Sequence, residues 1–311
     1  MKVNCLKKTV LTSISGASGV EVVNGCIYIV ADNAAMLYQL NHDLEVLSKI
    51  ELPYTFSEAK EHIPKPNKPD LECICSFEIN GYPHLLILSS GSLSPQRDTG
   101  YLIKLPSPYN KNHLAWPVQV KPLYDFLRSN EEVTSSGEVN FEGLATNERF
   151  VYLLNRGNTS GCKNVVLQFN KTEFVEFVQG HMSGIPFPKI FLHEGDMIEQ
   201  QPAYFTGADC AHDYLFYTAS AEDTANAYDD GTVHGSIIGY FCHKRKYTNR
   251  YYVDFLLHQQ TCVMKTEDEF YRPKVESISI YEKENPGKYV ALAVTDSDGG
   301  QSELLMLEII L

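Results

Sequence analysis

The alternation of apolar and polar residues predicts short β-strands along almost the whole chain. The apolar runs are rich in β-branched and aromatic residues, and Gly, Pro, Asn and Asp separate them. Helical periodicity is scarce, and only residues 123–128 show it over a few positions. The pattern therefore predicts an all-β fold.

One arrangement of residues recurs from one end of the chain to the other. Residues 140–158, NFEGLATNERFVYLLNRGN, show it most clearly: an acidic residue, a small residue, an apolar residue, a turn, an apolar run and a polar cluster. The five copies begin with an acidic or hydroxyl residue, namely Ser18, Glu72, Glu142, Asp209 and Glu276. Two further strand-like segments follow each of the first four copies, and after the third copy these are VVLQF and FVEFVQ, with IPFPKIFL beyond. Four strands per repeat, at a period of tens of residues, are typical of a β-propeller.

The two ends of the chain predict how the ring of repeats closes. The fifth copy stops at ELLMLEIIL without an outer strand, and residues 3–12, VNCLKKTVLT, precede the first copy without a partner. We expect the N-terminal segment to supply the missing strand, because closure removes exposed sheet edges. The prediction is a single β-propeller domain over residues 1–311 with five four-stranded blades. Six blades, or a two-sheet sandwich, are the less favoured alternatives.

The copies also predict where charged side chains meet. In a propeller the first strand of each blade lines the axis, and because it is antiparallel to the second strand, its start lies at the same face as the end of the second. Ser18, Glu72, Glu142, Asp209 and Glu276 are therefore expected to cluster around the axis. The residues expected beside them, as binding groups for a small-molecule ligand, are Asp32, Arg97, Asn155, Arg156 and Asp296.

Four carboxylates that converge on an axis raise one another's pKa unless cations compensate them. A hard cation that prefers oxygen ligands, Ca²⁺ first, fits carboxylate and hydroxyl groups without histidine or thiolate. The alternative is that the acids form ion pairs with Arg97 or Arg156 and hold neighbouring blades together. The sequence leaves both interpretations open.

Repeats of the form Glu-Gly-apolar-small, followed by a strand and a polar cluster, resemble those of phytase-esterase-like β-propeller proteins. The Ser/Glu/Glu/Asp/Glu series is also similar to that of the calcium-activated apyrases, which are five-bladed propellers with a calcium ion on the axis. The resemblance implies a propeller with an axial Ca²⁺ and, more faintly, hydrolysis of phosphate esters or anhydrides. The predicted face offers few basic residues for a phosphate-rich ligand, namely Arg97, Arg156 and Lys163.

Two other features are candidates for chemistry. His212 follows Asp209 by three residues in the predicted inner strand and is a candidate general base, with a hydrogen-bonded core histidine as the alternative. A long loop carries possible metal or general-base groups, namely Glu222, Asp223, Asp229, Asp230 and His234, with a solvated acidic loop as the alternative.

The amino-acid composition limits the classes of partner that we expect. The formal net charge is −13, so we expect no binding to nucleic acid or to an anionic membrane surface. The eight cysteines form no CxxC pair, and the N-terminus has no apolar stretch typical of a signal peptide, which favours a cytoplasmic protein. Two functions stay open: a Ca²⁺-dependent hydrolase of a small ester, lactone or phosphoester, with Arg156 as a further catalytic candidate, and a non-catalytic binding propeller with a structural axial metal.

Overall fold

The structure is a computed structural model that describes residues 1–106, 113–223, 231–248, 251–266, 269–285, 287–296 and 301–311. Five antiparallel sheets form the five blades of a β-propeller, so the predicted all-β fold with five blades is confirmed.

The strands of each blade follow one another along the chain. Strand β1 (Lys2–Leu11) comes first and belongs to the last blade. Blade one contains β2 (Ala17–Val23), β3 (Cys26–Ala31), β4 (Met36–Leu40) and β5 (Val46–Glu51). Blade two contains β6 (Leu71–Ile79), β7 (Tyr82–Ser89), β8 (Gly100–Lys104) and β9 (Leu114–Pro117). Blade three contains β10 (Phe141–Thr146), β11 (Phe150–Asn155), β12 (Val165–Asn170) and β13 (Lys189–Leu192).

The fourth blade departs from four strands. It contains β14 (Asp196–Ile198), β15 (Gln201–Ala211), β16 (Tyr214–Glu222), β17 (Val233–Thr248) and β18 (Tyr251–Val263). The additional strand is β14, which forms a hairpin with the start of β15. A short hairpin of β19 (Lys265–Thr266) and β20 (Glu269–Phe270) precedes blade five, which contains β21 (Lys274–Asn285), β22 (Lys288–Asp296) and β23 (Ser302–Ile310).

The N-terminal strand closes the ring as predicted. Strand β1 pairs antiparallel with β23, from Lys2 opposite Ile310 to Leu11 opposite Ser302. The innermost strands β2, β6, β10, β15 and β21 contact one another in sequence, and β21 contacts β2. Serine side chains of blade five also bond the backbone of blade one, because Ser277 Oγ accepts from Val20 N at 3.2 Å and Ser279 Oγ accepts from Val22 N at 3.1 Å. Apolar clusters between successive blades form the core.

Two short helices and one 3-10 turn interrupt the β-structure. Helix α1 (Lys121–Arg128) includes the segment with helical periodicity, and the turn spans Lys65–Asn67. Helix α2 (Lys171–Val178) occupies FVEFVQ, which the pattern suggested as a strand, and the outer strand of blade three is instead β13. The physical reason is the cap: the Asn170 side chain accepts from Glu173 N at 3.2 Å, and buried residues lie at helical spacing on one face. In the described parts of the chain, neither helix has the length and apolar character needed to cross a membrane.

Candidate functional site

The inner strand of every blade contains a β-bulge near its start. The pairing of the first and second strands shifts by one residue around these bulges, and the residue at the shift is Ser18, Glu72, Glu142, Thr206 or Glu276. We call these five residues the bulge positions, and the face at which the inner strands begin is the mouth. Bulges re-aim a side chain and are common beside functional sites.

The fourth bulge position corrects the sequence alignment. Thr206, not Asp209, is equivalent to Glu142, because the shift lies between Phe205 and Gly207. Asp209 lies three residues further along β15 and is outside the ring of bulge positions. The motif Phe-Thr-Gly-Ala at 205–208 matches Phe-Glu-Gly-Leu at 141–144, and this match was the signal that identifies Thr206.

Small residues after the bulge positions let the inner strands approach closely. A Cβ on Gly207 would lie 2.6 Å from the backbone oxygen of Glu276, and one on Gly143 would lie 3.0 Å from the backbone carbon of Gly207. Glycine is therefore required here by space, which agrees with the small residues seen in the repeat.

The two hydroxyl bulge residues bond sideways to the next blade. Thr206 Oγ1 donates to Val275 O at 2.6 Å, and Ser18 Oγ donates to Leu71 O. Each acceptor directly precedes a bulge glutamate of the neighbouring blade, so these hydroxyls hold the adjoining inner strand in place. Their protons are used in that contact.

Arg156 connects the third blade to the fourth. Its side chain is 3% exposed, its NH1 lies 3.4 Å from Glu142 Oε1, and its NH2 lies 2.6 Å from Glu222 Oε2. Asn140 Nδ2 also donates to Glu142 Oε1 at 2.6 Å. Glu222 ends β16 and accepts from Gly231 N at 2.9 Å. The predicted neighbourhood of Arg156 and Glu142 is present, and the guanidinium faces acids of two blades.

Glu276 is held by a cation from its own strand. Lys274 Nζ lies 2.9 Å from Glu276 Oε1, and the Glu276 residue is 5% exposed. The second oxygen, Glu276 Oε2, is buried and has no hydrogen-bond partner among the described residues. Glu142 Oε2 is likewise buried and has no hydrogen-bond partner among the described residues. Each of these two glutamates therefore has one oxygen that is hydrogen-bonded or ion-paired and one that is not. A buried oxygen without a partner destabilises the folded state unless another group binds it.

The remaining bulge glutamate belongs to an acidic trio. Oxygen atoms of Glu72, Asp32 and Asp70 all lie within 4.8 Å of one another. Lys68 Nζ lies 2.8 Å from Asp70 Oδ1 and also contacts Asp32 Oδ2. Arg97 NH1 donates to Asp70 Oδ2 at 2.8 Å. Asp32 and Arg97 therefore lie at the mouth, where Asp32 contacts Lys68 and Arg97 contacts Asp70.

The charges at the mouth do not balance. The carboxylates of this set are Asp32, Asp70, Glu72, Glu142, Glu222 and Glu276, and the cations are Lys68, Arg97, Arg156 and Lys274. Two carboxylates are therefore in excess of the cations in this set.

The pKa shifts indicate which of these carboxyl groups bind protons most readily. Burial, with the nearby carboxylates of Glu142 and Asp70, raises the pKa of Glu72 well above its ordinary value. Burial and the Glu142 carboxylate raise the pKa of Glu276 to about 8, although Lys274 opposes the shift. Lys68 and Arg97 lower the pKa of Asp70 against the effect of its burial. Without a further cation, Glu276 and Glu72 are accordingly the carboxyl groups of this set that bind a proton most readily.

Other predicted site residues have different surroundings. Asn155 is structural, since its Oδ1 accepts from Asn140 N at 2.8 Å and its Nδ2 donates to Lys163 O at 2.8 Å. Asp296 ends β22 opposite Lys274. His212 is exposed, has a φ of 55°, and lies in the turn between β15 and β16, so its placement in the inner strand was wrong.

The acidic loop is described only in part. Asp223 Oδ2 lies 2.8 Å from His234 Nε2, while Glu222 pairs with Arg156 as above. Asp229 and Asp230 lie outside the described residues.

Asp209 belongs to a second pair of acids further along the inner strands. Its two oxygens accept from Cys210 N and Ile280 N, both at 2.6 Å, so it links blade four to blade five. Glu21 accepts from Ser76 Oγ at 2.6 Å and from Ser279 Oγ at 3.5 Å. Burial raises the pKa of Asp209 to about 7, and burial and the Asp209 carboxylate raise that of Glu21 well above its ordinary value. This pair fastens blades together, with every carboxylate oxygen hydrogen-bonded.

Sequence reasoning missed Asp70, Lys68 and Lys274. Asp70, Asn140 and Lys274 each lie two residues before a bulge glutamate, and alternate residues of a strand share a face. Extending each repeat copy by two residues toward the N-terminus was the signal that identifies Asp70 and Lys274. Lys68 offered no such signal, because it lies in the loop that leads to β6.

These contacts define a five-bladed β-propeller with a buried network of charged groups at its mouth. The chain belongs to a family of unknown function (DUF6929), whose model matches residues 13–309. No curated protein matches it significantly.

Among solved structures, the chain is similar to the tail fibre of Staphylococcus aureus phage P68, with 10% identity, coverage of 100% of this chain and 53% of that chain, and a TM-score of 0.49. It is similar to Myxococcus xanthus glutaminyl cyclase, with 9% identity, coverage of 99% and 97%, and a TM-score of 0.44. It is also similar to extracellular domains 1-2 of Drosophila semaphorin 1b, with 13% identity, coverage of 95% of this chain and 52% of that chain, and a TM-score of 0.39. The chain thus spans about half the length of the semaphorin and tail-fibre chains. At these identities the likenesses concern the fold alone.

Proposed function

We propose that the chain is a binding propeller whose mouth takes up one divalent, oxygen-ligated cation, Ca²⁺ first. The observation that carries the proposal is the pair of buried, unsatisfied oxygens, Glu142 Oε2 and Glu276 Oε2. With Glu72, these glutamates would hold the ion, and Ca²⁺ accepts carboxylate oxygens in flexible geometry. The excess of two carboxylates at the mouth equals the charge of one such ion. The resemblance to calcium-activated apyrases points the same way.

The surroundings of Arg156 favour a binding platform over an enzyme. Both terminal nitrogens face carboxylates, Glu142 and Glu222, and the side chain is 3% exposed. A guanidinium in this position fixes two blades relative to each other. The role of Arg156 in the proposal is to position Glu142, and not to bind substrate.

A hydrolase of a small ester, lactone or phosphoester is a second candidate, and Glu72 is the observation that favours it. Glu72 is only partly buried, and its pKa is raised above the ordinary range of a glutamate, which is the direction of shift found in carboxyl groups that act as general acids. In that case the cation, when bound, would polarise the substrate or lower the pKa of a bound water. In this second candidate Glu142 and Glu276 would hold the cation, and Glu72 would accept or donate the proton at its carboxyl group.

The test is a Ca²⁺ titration of metal-free protein by isothermal titration calorimetry. We expect one site per chain, which Glu142→Gln weakens at least about tenfold because it removes a ligand charge. Asp223→Asn is the matched control, since Asp223 pairs with His234 and is not a bulge residue. Equal Ca²⁺ affinity in Glu142→Gln and wild type would contradict the proposed site.

The two candidates separate in a substrate screen. Wild-type protein saturated with Ca²⁺ is assayed against small esters, lactones and phosphoesters. The platform predicts no turnover above that of a Glu72→Gln sample. Turnover that disappears in Glu72→Gln, measured at a Ca²⁺ concentration that saturates this variant, would establish the hydrolase instead.

A further inference from the structure

A second group of metal-ligand side chains lies where the third blade meets the fourth. His193 follows β13, Asp196 begins β14, and His258 lies on β18, the outermost strand of blade four. None of the three is a bulge position. His193 and Asp196 form an i, i+3 pair in the segment His-Glu-Gly-Asp, and the fold brings His258 to them from 62 residues further along the chain.

The three side chains present ligand atoms within 4.8 Å of one another. His193 Nε2 lies 3.3 Å from Asp196 Oδ2, and His258 Nε2 lies 4.0 Å from Asp196 Oδ1. Tetrahedral Zn²⁺ with bonds of about 2.0–2.1 Å places neighbouring ligand atoms roughly 3.3 Å apart. Only small rotations of the side chains are needed to meet that geometry.

The hydroxyl of Tyr217 orients the carboxylate. It donates to Asp196 Oδ2 at 2.7 Å and lies 3.0 Å from His258 Nε2. Gly239 leaves space for the phenol ring, because a Cβ at residue 239 would lie 2.2 Å from Tyr217 Cζ. A hydrogen bond to a ligating carboxylate sets its orientation and supports metal affinity, whereas the contact of Tyr217 with His258 Nε2 would be replaced by the metal.

An aromatic cluster holds the imidazole of His193. Its ring stacks on Phe205 at a centroid distance of 5.3 Å and an interplanar angle of 16°. Phe241 contacts both histidines edge-on, at 5.4 Å from His193 and 5.4 Å from His258. The ligands therefore lie in an apolar shell, and the side chain of His258, which is 36% exposed, connects the group to solvent.

We propose that His193, Asp196 and His258 form a binding site for a transition-metal ion, with Zn²⁺ as the first choice. Two imidazoles and one carboxylate suit Zn²⁺ far better than Ca²⁺, which prefers oxygen ligands. Three protein ligands and an exposed side leave a fourth position for water. The site is separate from the cation site proposed at the mouth, and it depends on neither the hydrolase nor the platform function.

The test uses metal-free, full-length protein, titrated with Zn²⁺ by calorimetry and with Co²⁺ by visible absorption. We expect one strong Zn²⁺ site and the absorption bands of tetrahedral Co²⁺. His258→Gln and Asp196→Asn should each weaken Zn²⁺ binding at least about 100-fold, and Tyr217→Phe by about 10- to 100-fold. His181→Gln is the control, because His181 is an exposed histidine outside the proposed site, with its Nδ1 3.6 Å from Glu176 Oε2.

Circular dichroism checks that each variant folds. The wild-type Co²⁺ spectrum tests for a tetrahedral metal site independently of any variant. Absence of the tetrahedral bands, or Zn²⁺ binding equal in His258→Gln and wild type, would overturn the site. In that case the three residues are only a hydrogen-bonded network within the aromatic cluster.

Discussion

Arg156 of the third blade and Glu222 of the fourth form a buried ion pair, with NH2 and Oε2 2.6 Å apart. The same guanidinium faces Glu142, so its charge serves two acids that come from different blades. This contact links the third and fourth blades at the mouth, and Glu142 Oε2 is left without a hydrogen-bond partner among the described residues.

Replacing Arg156 should therefore cost stability. Arg156→Ala leaves two buried carboxylates without their cation, and we expect the free energy of unfolding to fall by about 3–5 kcal/mol. Urea denaturation measures it. The control is Lys121→Ala, which breaks a pair whose side chains are 51% and 53% exposed and should cost less than about 1 kcal/mol. Equal losses in the two variants would show that the Arg156 pair is not buried as described.

Stability in the absence of divalent cations should depend on the ionisation of Glu276. Its pKa is about 8 in the folded protein and ordinary in the unfolded chain, so the folded state binds more protons between those values. The stabilisation from this proton is present at low pH and is lost as the pH rises through about 8. The free energy of unfolding of wild type relative to Glu276→Gln should thus fall between about pH 5 and about pH 8.5, by at most about 1.4 kcal/mol per pH unit.

Thermal and urea unfolding in chelator across that pH range measures the difference. The comparison with Glu276→Gln is needed because Glu72, Glu21 and Asp209 have raised pKa values as well. Parallel pH profiles for the two proteins would mean that Glu276 keeps an ordinary pKa in the fold.

The close approach of the inner strands predicts the effect of enlarging Gly207. A methyl group there meets the backbone of Glu276 and Ser277 at 2.6 Å, so Gly207→Ala should destabilise the fold by about 1–3 kcal/mol. Gly184→Ala is the matched control, because nothing lies within 4 Å of its added Cβ. A stability of Gly207→Ala at or above that of Gly184→Ala would contradict the packing of blades four and five.

Because Asp209 links blades four and five and is not a bulge position, its replacement should leave Ca²⁺ binding almost unchanged. Asp209→Asn keeps one acceptor for Ile280 N and lies outside the bulge positions, so Ca²⁺ affinity should stay within about twofold of wild type. Calorimetric titration measures the affinity. A loss as large as that in Glu142→Gln would return Asp209 to the cation site, as the uncorrected alignment had it.

The sequence allowed much of the fold to be predicted because each blade repeats local signals. Turn residues such as Asn24-Gly25 and Asn80-Gly81, both with positive φ at each residue, and alternating strands recur in the first two copies. The closing strand followed from an unpaired segment at one end and an incomplete blade at the other. Helix α2 was misassigned because its buried Phe174, Phe177 and Val178 stand in a run that also suits a strand.

The site was less predictable, because it depends on register and on contacts between blades. A shift of three residues moved the fourth bulge position from Thr206 to Asp209, and both are polar residues that precede small ones. The partner of Arg156 lies 66 residues away, in a blade whose orientation no local pattern specifies. The group of His193, Asp196 and His258 is likewise assembled by tertiary structure alone.

Binding of one divalent cation at the mouth should displace protons from Glu276 and Glu72. Calorimetric Ca²⁺ titrations near pH 7, in buffers of different ionisation enthalpy, count the protons released on binding. We expect one bound ion and a net release of protons, because the raised pKa values of both glutamates favour protonation without the ion and a ligating carboxylate is ionised. No binding of Ca²⁺ at millimolar concentration, or binding without proton release, would contradict this expectation.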